Sequence, residues 1–290
     1  MNVAVLGSGS WATALAKIVM HNVAEINWYI RKQETIDEFR EIRRNPNHLE
    51  WAYFDISRIN FSNDINQVLS EAELVILAVP SPYVKDVLAE ITVDMSQKKV
   101  ISAVKGMIPG DNILVTDYLH QHFHVPENNL GMITGPCHAE EIALERLSYL
   151  TIGCKDTANA TEWQKLFDTP YVRTTPSNDM KGLEYASVMK NIYAIAAGMC
   201  TSLRYGDNFQ AVLLTNAMHE IVRFTKAVSD VPRDITDSGY LGDVLVTAYS
   251  NFSRNRQFGQ MIGMGYSVKA AQTEMEMVAE GYYGTKAIHL

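Results

Sequence analysis

Short apolar runs alternate with amphipathic segments along the first 178 residues of the chain. The apolar runs predict β-strands at Val3–Leu6, Asn27–Ile30, Ile59–Phe61, Leu74–Val79, Val100–Ala103, Gly131–Thr134, Tyr149–Gly153 and Val172–Thr174. The segments between them predict helices at Trp11–His21, Gln33–Arg44, Ile65–Leu69, Pro82–Glu90, Ile113–His122, His138–Leu144 and Ala158–Phe167. This alternation is typical of a mostly parallel sheet with helices on both faces.

The pattern changes near residue 180, where the strand signal fades and longer helical patterns begin. These patterns predict helices at Lys181–Cys200, Asn208–Val228 and Ser267–Val278. A chain of 290 residues is long enough for two domains. We therefore expect an α/β half followed by an all-helical half.

The first predicted strand and helix flank a glycine-rich turn with the pattern Gly-x-Gly-x-x-Ala. Gly7 permits the tight turn out of the strand, Gly9 allows a close backbone approach to a pyrophosphate, and Ala12 lets the helix pack near the sheet. The helix N-terminus presents N–H groups and a positive dipole end to phosphates. A bare glycine turn is the alternative, but the strand before it and the helix after it favour a dinucleotide site.

This fingerprint defines the expected fold class. We predict an N-terminal Rossmann-type, doubly wound, mostly parallel sheet and a C-terminal all-helical domain. The dinucleotide-binding domain is expected to span residues 1–178, and a helical substrate and catalytic domain residues 179–290.

The residues after the second predicted strand bear on the choice of cofactor. The fingerprint expects an acidic residue about 20 residues on, for the ribose 2′-hydroxyl. Arg31 and Lys32 stand at this place instead. Two cations suit a 2′-phosphate, which favours NADPH over NADH and leaves NADH open; the alternative is a solvated helix start.

Composition narrows the possible partners. The chain has 33 acidic and 25 basic residues, a net charge of -8, which argues against a nucleic-acid binder. Three cysteines without a Cys-x-x-Cys pair predict neither a disulfide framework nor a zinc site, and we expect no metal at the histidines between residues 120 and 124. The absence of a long apolar run or a signal peptide predicts a cytoplasmic protein with no stable membrane insertion.

One lysine stands in an otherwise apolar helical segment. Lys190 is the only charged residue between Tyr185 and Cys200, and no acid lies three or four residues from it. It either extends to water from the helix edge or is a buried ammonium suited to proton transfer. Asp243 is either its distant partner or a helix cap.

A second polar cluster lies at Ser250–Gly259, where hydroxyls, an amide and two arginines follow one another. Such groups can donate several hydrogen bonds to a phosphate, and arginine can do so in bidentate fashion. The alternative is a polar surface turn.

Taken together, these segments resemble the bacterial NAD(P)-dependent glycerol-3-phosphate dehydrogenase family. The similar motifs run in order along nearly the whole chain: Gly7–Ala16, Ala103–Met107, Gly135–Glu141, Lys190–Asn191, Tyr205–Asn208, Gly242–Asp243, Ser253–Gly259 and Val278–Gly281. The resemblance implies reversible NAD(P)H-dependent reduction of dihydroxyacetone phosphate to sn-glycerol 3-phosphate, which supplies glycerophospholipid synthesis. The substrate partner would thus be a small phosphorylated triose.

The resemblance also implies roles for individual residues. Lys190 would be the proton donor or acceptor, with Asp243 as the second catalytic residue. The substrate site would be lined by Lys105, Gly135, Cys137, Lys190, Asp243, Ser253, Arg254 and Asn255. The cofactor would contact Gly7, Gly9, Ser10, Trp11, Arg31, Lys105, Ala139, Arg254, Val278 and Glu280.

The chain departs from the family pattern in two places. Cys137 stands where the family usually has Ser or Thr, and a thiol is a weaker hydrogen-bond donor. Family members also continue for several helical turns past the position of Leu290. We therefore expect the segment beyond Gly281 to be mobile, exposed or held in a contact between two subunits, and we expect a homodimer.

Two other functions fit parts of the pattern. A related dehydrogenase acting on another small hydroxy acid would share the fold. A nucleotide-sensing module that has lost catalysis would share the fingerprint, but the presence of both Lys190 and Asp243 counts against it.

Arg31→Asp is expected to shift the cofactor preference from NADPH toward NADH. The carboxylate would repel a 2′-phosphate and accept hydrogen bonds from the ribose hydroxyls; Lys32 remains as a second cation and limits the change. The measurement is the ratio of activity with the two cofactors. An equal ratio in wild type and variant would show that Arg31 does not read the 2′ position.

Overall fold

A computed structural model of the protein describes residues 1–275 and 278–289. Its main sheet has eight strands in the order β10-β9-β8-β5-β4-β1-β2-β3, and neighbours are parallel except for β8 and β9. The eight strands are β1 Val3–Leu6, β2 Ile26–Tyr29, β3 Ile59–Ser62, β4 Leu74–Leu77, β5 Lys99–Ser102, β8 Leu130–Thr134, β9 Ser148–Cys154 and β10 Val172–Ser177. Strands β6 Met107–Ile108 and β7 Ile113–Leu114 form a separate antiparallel hairpin. The predicted fold class, a mostly parallel sheet followed by a helical region, is confirmed.

Helices cover the sheet and make up the region after β10. They are α1 Ser10–Val19, α2 Gln33–Ile42, α3 Ile65–Ser70, α4 Ser81–Ala89, α5 Val115–Phe123, α6 Ala139–Ala143, α7 Thr157–Phe167, α8 Met180–Ser202, α9 Gly206–Val228, α10 Asp243–Tyr249, α11 Arg254–Gly263, α12 Val268–Glu274 and α13 Glu280–His289. A π-helical turn, Ser238–Gly242, leads directly into α10. No helix in the described part of the chain is long and apolar enough to cross a membrane.

The order of the strands reverses direction at β1. The chain lays down β2 and β3 on one side of β1, and then β4 and β5 on the other. In open parallel sheets such a reversal leaves a crevice outside the carboxyl ends of the strands, where ligands bind. Gly7 follows β1 at this point with φ of +119°, and a Cβ atom there would lie 2.5 Å from Ala78 O, after β4. Only glycine fits this close approach.

The central strands are buried on both faces, as their continuous apolar runs predict, whereas the edge strands β3 and β10 have exposed residues. All four residues of β1 are buried, and so are all four of β4. An aromatic cluster of Trp28, Phe39, Phe54 and Phe61 packs beside them. The indole of Trp28 also donates a hydrogen bond of 2.7 Å to Gly7 O, which ties this core to the glycine turn.

Several predicted boundaries differ from the observed ones. The hairpin of β6 and β7 was not expected, and it takes up the first two residues of the helix predicted from Ile113. The helix predicted at Ser267–Val278 is observed only as α12, Val268–Glu274, and residues 276 and 277 of that prediction lie outside the described residues. Helices α10 and α11 were not predicted, because helices of seven and ten residues span too few turns to give a clear periodicity.

The segment after Gly281 packs within this chain, against α8. A Cβ atom at Gly281 would lie 2.4 Å from Asn191 O, and one at Gly284 would lie 2.9 Å from a side-chain carbon of Val188. Tyr282 and Ile288 are consequently half-buried rather than exposed. The expectation of an exposed tail is therefore wrong for the described residues, because two glycines let α13 approach α8 closely.

Gly259→Ala is expected to lower the thermal midpoint by several degrees. A Cβ atom there would lie 2.0 Å from Ile195 O, so α11 would have to move away from α8, at a cost of about 2 kcal/mol. Gly9→Ala is the matched control for ligand-free protein, since a Cβ atom there meets nothing within 4 Å. Equal midpoints for the two variants would contradict the close helix contact.

Candidate active site

A cavity of about 350 Å³ opens at the carboxyl ends of the strands, between the sheet and the helices that follow it. Most residues expected at the cofactor and substrate line it. They are Gly9, Ser10, Trp11, Lys105, Cys137, Ala139, Lys190, Asp243, Ser253, Arg254, Asn255, Val278 and Glu280. Residues from the loops after β1, β5 and β8 thus meet residues from α8, α10, α11 and α13.

The glycine turn forms one end of this cavity. Gly9 is the N-cap residue of α1 and has no side chain to occupy the space beside the first helical turn. That turn therefore offers its backbone N–H groups and its positive dipole end to the cavity. The indole nitrogen of Trp11 is buried and has no hydrogen-bond partner among the described residues. Space, N–H donors and an unpaired indole fit a dinucleotide pyrophosphate.

Lys190 and Asp243 meet at the other end. The Lys190 ammonium donates a short hydrogen bond to one carboxylate oxygen of Asp243. The other oxygen accepts hydrogen bonds from Thr134 Oγ1 at 2.8 Å and from the Gly135 backbone N–H at 3.3 Å. The lysine is 4% exposed and the aspartate 1%. Lys190 therefore does not extend to water, and the Asp243 side chain is its partner rather than a helix cap.

The electrostatics of this pair follow from its burial. Burial lowers the pKa of Lys190 to about 7; Asp243 opposes this shift and the nearby Lys105 adds to it. Burial by itself would raise the pKa of Asp243, but the two lysines and the hydrogen bonds from Lys190 and Thr134 hold it below its usual range. The site thus combines an ionised carboxylate with an ammonium that can lose its proton near neutral pH.

Lys105 links the two ends of the cavity. Its ammonium lies 4.8 Å from the centroid of the Trp11 ring, on the side of the glycine turn. Its backbone carbonyl accepts a hydrogen bond of 2.9 Å from Asn191 Nδ2, the residue after the buried lysine. Asn191 therefore positions this loop, although only its place beside Lys190 marked it in the sequence.

The polar cluster at Ser253–Asn255 is the start of α11 and not an exposed surface turn. Ser253 is the N-cap residue and is 3% exposed, and Asn255 is 8% exposed. Asn255 Oδ1 accepts a hydrogen bond of 2.8 Å from the Gly281 N–H. Glu280, beside it, accepts from Ser81 N at 2.9 Å and from the Ser81 hydroxyl. Helix α13 is therefore held at the cavity by its first two residues, Glu280 and Gly281.

Cys137 is a buried neutral thiol. Burial raises its pKa to about 12, although the charge of Lys105 acts in the opposite direction. A thiol in this state is a weak hydrogen-bond donor and a poor nucleophile. It lines the cavity without bringing a charge to it.

Two histidines at the cavity were not predicted. His138, beside Cys137, has its pKa lowered to about 4 by burial and by two nearby lysines, so its imidazole is neutral. His48 lies with Nδ1 3.3 Å from Ser10 Oγ, and burial and the charge of Arg254 lower its pKa. The sequence offered a signal for His138, which lies inside the motif at Gly135–Glu141, but none for His48.

Three predicted residues do not line the cavity. Gly7 and Gly135 support it through their backbones; both have positive φ angles and touch neighbouring strand ends. Arg31 is exposed, after β2, and is not part of the cavity wall. No group of three or more His, Cys, Asp or Glu side chains that could hold a metal ion occurs in residues 1–275 and 278–289.

Comparison with known proteins decides the family. The sequence matches the family description "NAD-dependent glycerol-3-phosphate dehydrogenase N-terminus" over residues 2–160 and its C-terminal counterpart over residues 179–290. It is 31% identical over 290 residues to glycerol-3-phosphate dehydrogenase [NAD(P)+] of Staphylococcus aureus, covering 99% of this chain and 87% of that relative. The chain belongs to the glycerol-3-phosphate dehydrogenase family.

Solved structures of this family share the fold. Glycerol-3-phosphate dehydrogenase from Coxiella burnetii aligns with a TM-score of 0.90 at 26% identity, over 99% of this chain and 88% of that one. The enzyme from Plasmodium falciparum aligns with a TM-score of 0.88 at 25% identity, over 100% of this chain and 85% of that one. The chain is thus an NAD(P)-dependent oxidoreductase with a Rossmann-type cofactor fold, as the resemblance implied.

Proposed function

We propose that this glycerol-3-phosphate dehydrogenase reduces dihydroxyacetone phosphate reversibly to sn-glycerol 3-phosphate with NAD(P)H. The observation that carries the proposal is the buried hydrogen bond between Lys190 and Asp243, in the same cavity as the glycine turn. A dehydrogenase needs a proton donor next to the carbon that accepts hydride. Lys190 is a cation that can release its proton in this place.

The geometry supports a separate role for each group at the site. The nicotinamide, when bound, supplies the hydride to the carbonyl carbon. Lys190 donates its proton to the carbonyl oxygen, and its pKa of about 7 suits proton transfer in both directions near neutral pH. Asp243 remains ionised and orients the ammonium, while Thr134 and Gly135 hold the carboxylate in place.

The phosphate of the substrate binds at the start of α11 in this proposal. Arg254 can form two parallel hydrogen bonds to a phosphate, and the N-terminus of a ten-residue helix adds N–H donors. Ser253 and Asn255 are buried beside it and line the same cavity, as Lys105 and Cys137 do. The neutral Cys137 thiol contributes packing rather than a strong hydrogen bond.

When bound, the cofactor would be held by the glycine turn and by residues toward the lysine end of the cavity. We propose contacts with Gly7, Gly9, Ser10, Trp11, Arg31, Lys105, Ala139, Arg254, Val278 and Glu280. Arg31 would read the 2′-phosphate from outside the cavity wall, which favours NADPH.

The remaining expectations are part of the same proposal. We propose a dinucleotide-binding domain in residues 1–178 and a helical substrate and catalytic domain in residues 179–290, with residues of both lining the shared cavity. A homodimer in the cytoplasm that supplies glycerol phosphate for phospholipid synthesis fits this reaction. Analytical ultracentrifugation tests the dimer directly.

Lys190→Ala is expected to lower the rate of dihydroxyacetone phosphate reduction by about 10²–10⁴-fold while NADPH affinity stays nearly unchanged. The wild-type rate should fall as the pH rises through about 7, since the donating ammonium is then lost. The measurements are turnover across pH and cofactor affinity by fluorescence titration.

Lys181→Ala is the matched control on the same helix, because that lysine pairs with Asp117 at the surface. It should keep wild-type turnover. A Lys190→Ala variant that retains most of its turnover would remove this lysine from the chemistry.

Arg254→Ala is expected to raise KM for dihydroxyacetone phosphate by at least about tenfold, because a hydrogen bond to a charged group contributes roughly 1.5–3 kcal/mol. Its effect on unphosphorylated dihydroxyacetone should be small. The exposed Arg223 on α9 offers the control substitution Arg223→Ala. An unchanged preference for the phosphorylated substrate would contradict the phosphate assignment.

A further inference from the structure

A buried polar cluster that lies outside the cavity joins three residues. Asp179 accepts hydrogen bonds from Arg233 through Nε and, at 3.1 Å, through a terminal guanidinium nitrogen. The Tyr240 hydroxyl donates a short hydrogen bond to the same carboxylate. Asp179 is 2% exposed and Tyr240 is 3% exposed. We call this cluster the Asp179 network.

The network lies where two functional helices begin. Asp179 is the N-cap residue of α8 and accepts a hydrogen bond of 3.1 Å from the Gly182 N–H. Lys190 lies further along that helix. Tyr240 lies in the π-helical turn, three residues before Asp243, which is the first residue of α10. The Asp179 carboxylate therefore connects the helix that carries Lys190 to the turn that leads into Asp243.

The π-helical turn has little room to move. A Cβ atom at Gly239 would lie 2.8 Å from Thr151 Oγ1 on β9 and 2.9 Å from a side-chain carbon of Leu183 on α8. π-helical turns are rare and occur mostly as single turns at functional sites. Arg233 and Tyr240 hold the segment between them at both ends by binding one carboxylate.

We propose that the Asp179 network is a positioning device that holds Asp243 against Lys190. The proposal rests on the proposed function, in which Lys190 donates the proton. A buried ion pair made from two separate helices needs an accurate distance, because a misplaced partner leaves a charge buried alone. Small displacements of reacting groups also lower the rate strongly.

The charges around Lys190 determine how its pKa would change if Asp243 were displaced. Asp243 raises the pKa of Lys190, and Lys105 lowers it. Cys137 and His138 face it from the loop after β8, and both are neutral near pH 7. From α11 and α13, Arg254 and Glu280 line the same cavity and act on one another. On α8 itself, the buried Glu184 accepts hydrogen bonds from the backbone N–H and the hydroxyl of Thr116. Glu220 on α9 is exposed and accepts a hydrogen bond from Tyr193. If Asp243 moves away, the pKa of Lys190 must therefore fall further.

Tyr240→Phe tests the proposal, since it removes one hydroxyl and keeps the ring. We expect kcat for dihydroxyacetone phosphate reduction at pH 8 to fall at least about tenfold, with KM for NADPH nearly unchanged. The alkaline limb of the kcat profile should move to lower pH by about one unit. Arg233→Met, which removes the charge and keeps an unbranched side chain, should produce the same shift.

Tyr171→Phe is the matched control. Tyr171 is also buried, and its hydroxyl lies 3.1 Å from His21 Nε2, remote from α8 and α10. This variant should lower the thermal midpoint by a similar amount and leave the pH profile in place. If Tyr240→Phe and Arg233→Met lower the midpoint but also leave the profile in place, the network has only a structural role and the proposal is overturned.

The pH profiles of kcat distinguish a failure of the positioning role from a failure of the assignment of Lys190 as proton donor. A wild-type profile without an alkaline limb, or a Lys190→Ala variant that keeps its turnover, overturns the assignment of Lys190 and the positioning role together. A wild-type limb that does not move in the two network variants overturns the positioning role alone.

Discussion

The structure depends on a pair of opposite charges that it removes from water. Lys190 and Asp243 are almost fully buried, and each would be costly to bury without the other. The carboxylate is further stabilised by Thr134 and by the backbone N–H of Gly135. Burial also lowers the pKa of Lys190 toward neutral pH. The same burial that makes the ion pair costly therefore allows Lys190 to exchange a proton near neutral pH.

The surrounding fold can be understood as the means of bringing these groups to the glycine turn. The reversal of strand order at β1 opens a crevice, and the loops after β1, β5 and β8 end in it. Helices α8, α10, α11 and α13 close the other side. Their closest approaches occur at glycines, such as Gly198, whose Cβ would lie 2.0 Å from Arg256 O. Close packing of α8 against α11 and α13 therefore places the lysine, the phosphate-binding residues and Glu280 around one cavity.

Much of this could be predicted from the sequence, for physical reasons that act over short distances. The eight strands of the sheet follow from short apolar or alternating runs, and the glycine turn follows from the spacing of its glycines. Lys190 was recognisable because a charge in an apolar helix is unusual. The hairpin of β6 and β7 was not recognisable, because two-residue strands carry no periodicity. Helix α13 was expected to be exposed, and only its contact with α8 shows otherwise.

The sequence by itself determined the fold class, the family and the residue types of the site, because strand patterns and motifs are local properties of the chain. The tertiary structure decided which residues meet. It paired Lys190 with Asp243 across 53 positions, placed His48 beside Ser10, and left Arg31 outside the cavity wall. The tertiary structure also joined Asp179 to Arg233 and Tyr240, and no motif or spacing in the sequence predicts these contacts. Burial, and with it each shift in pKa, arises from packing between distant segments, and local sequence patterns do not contain that information.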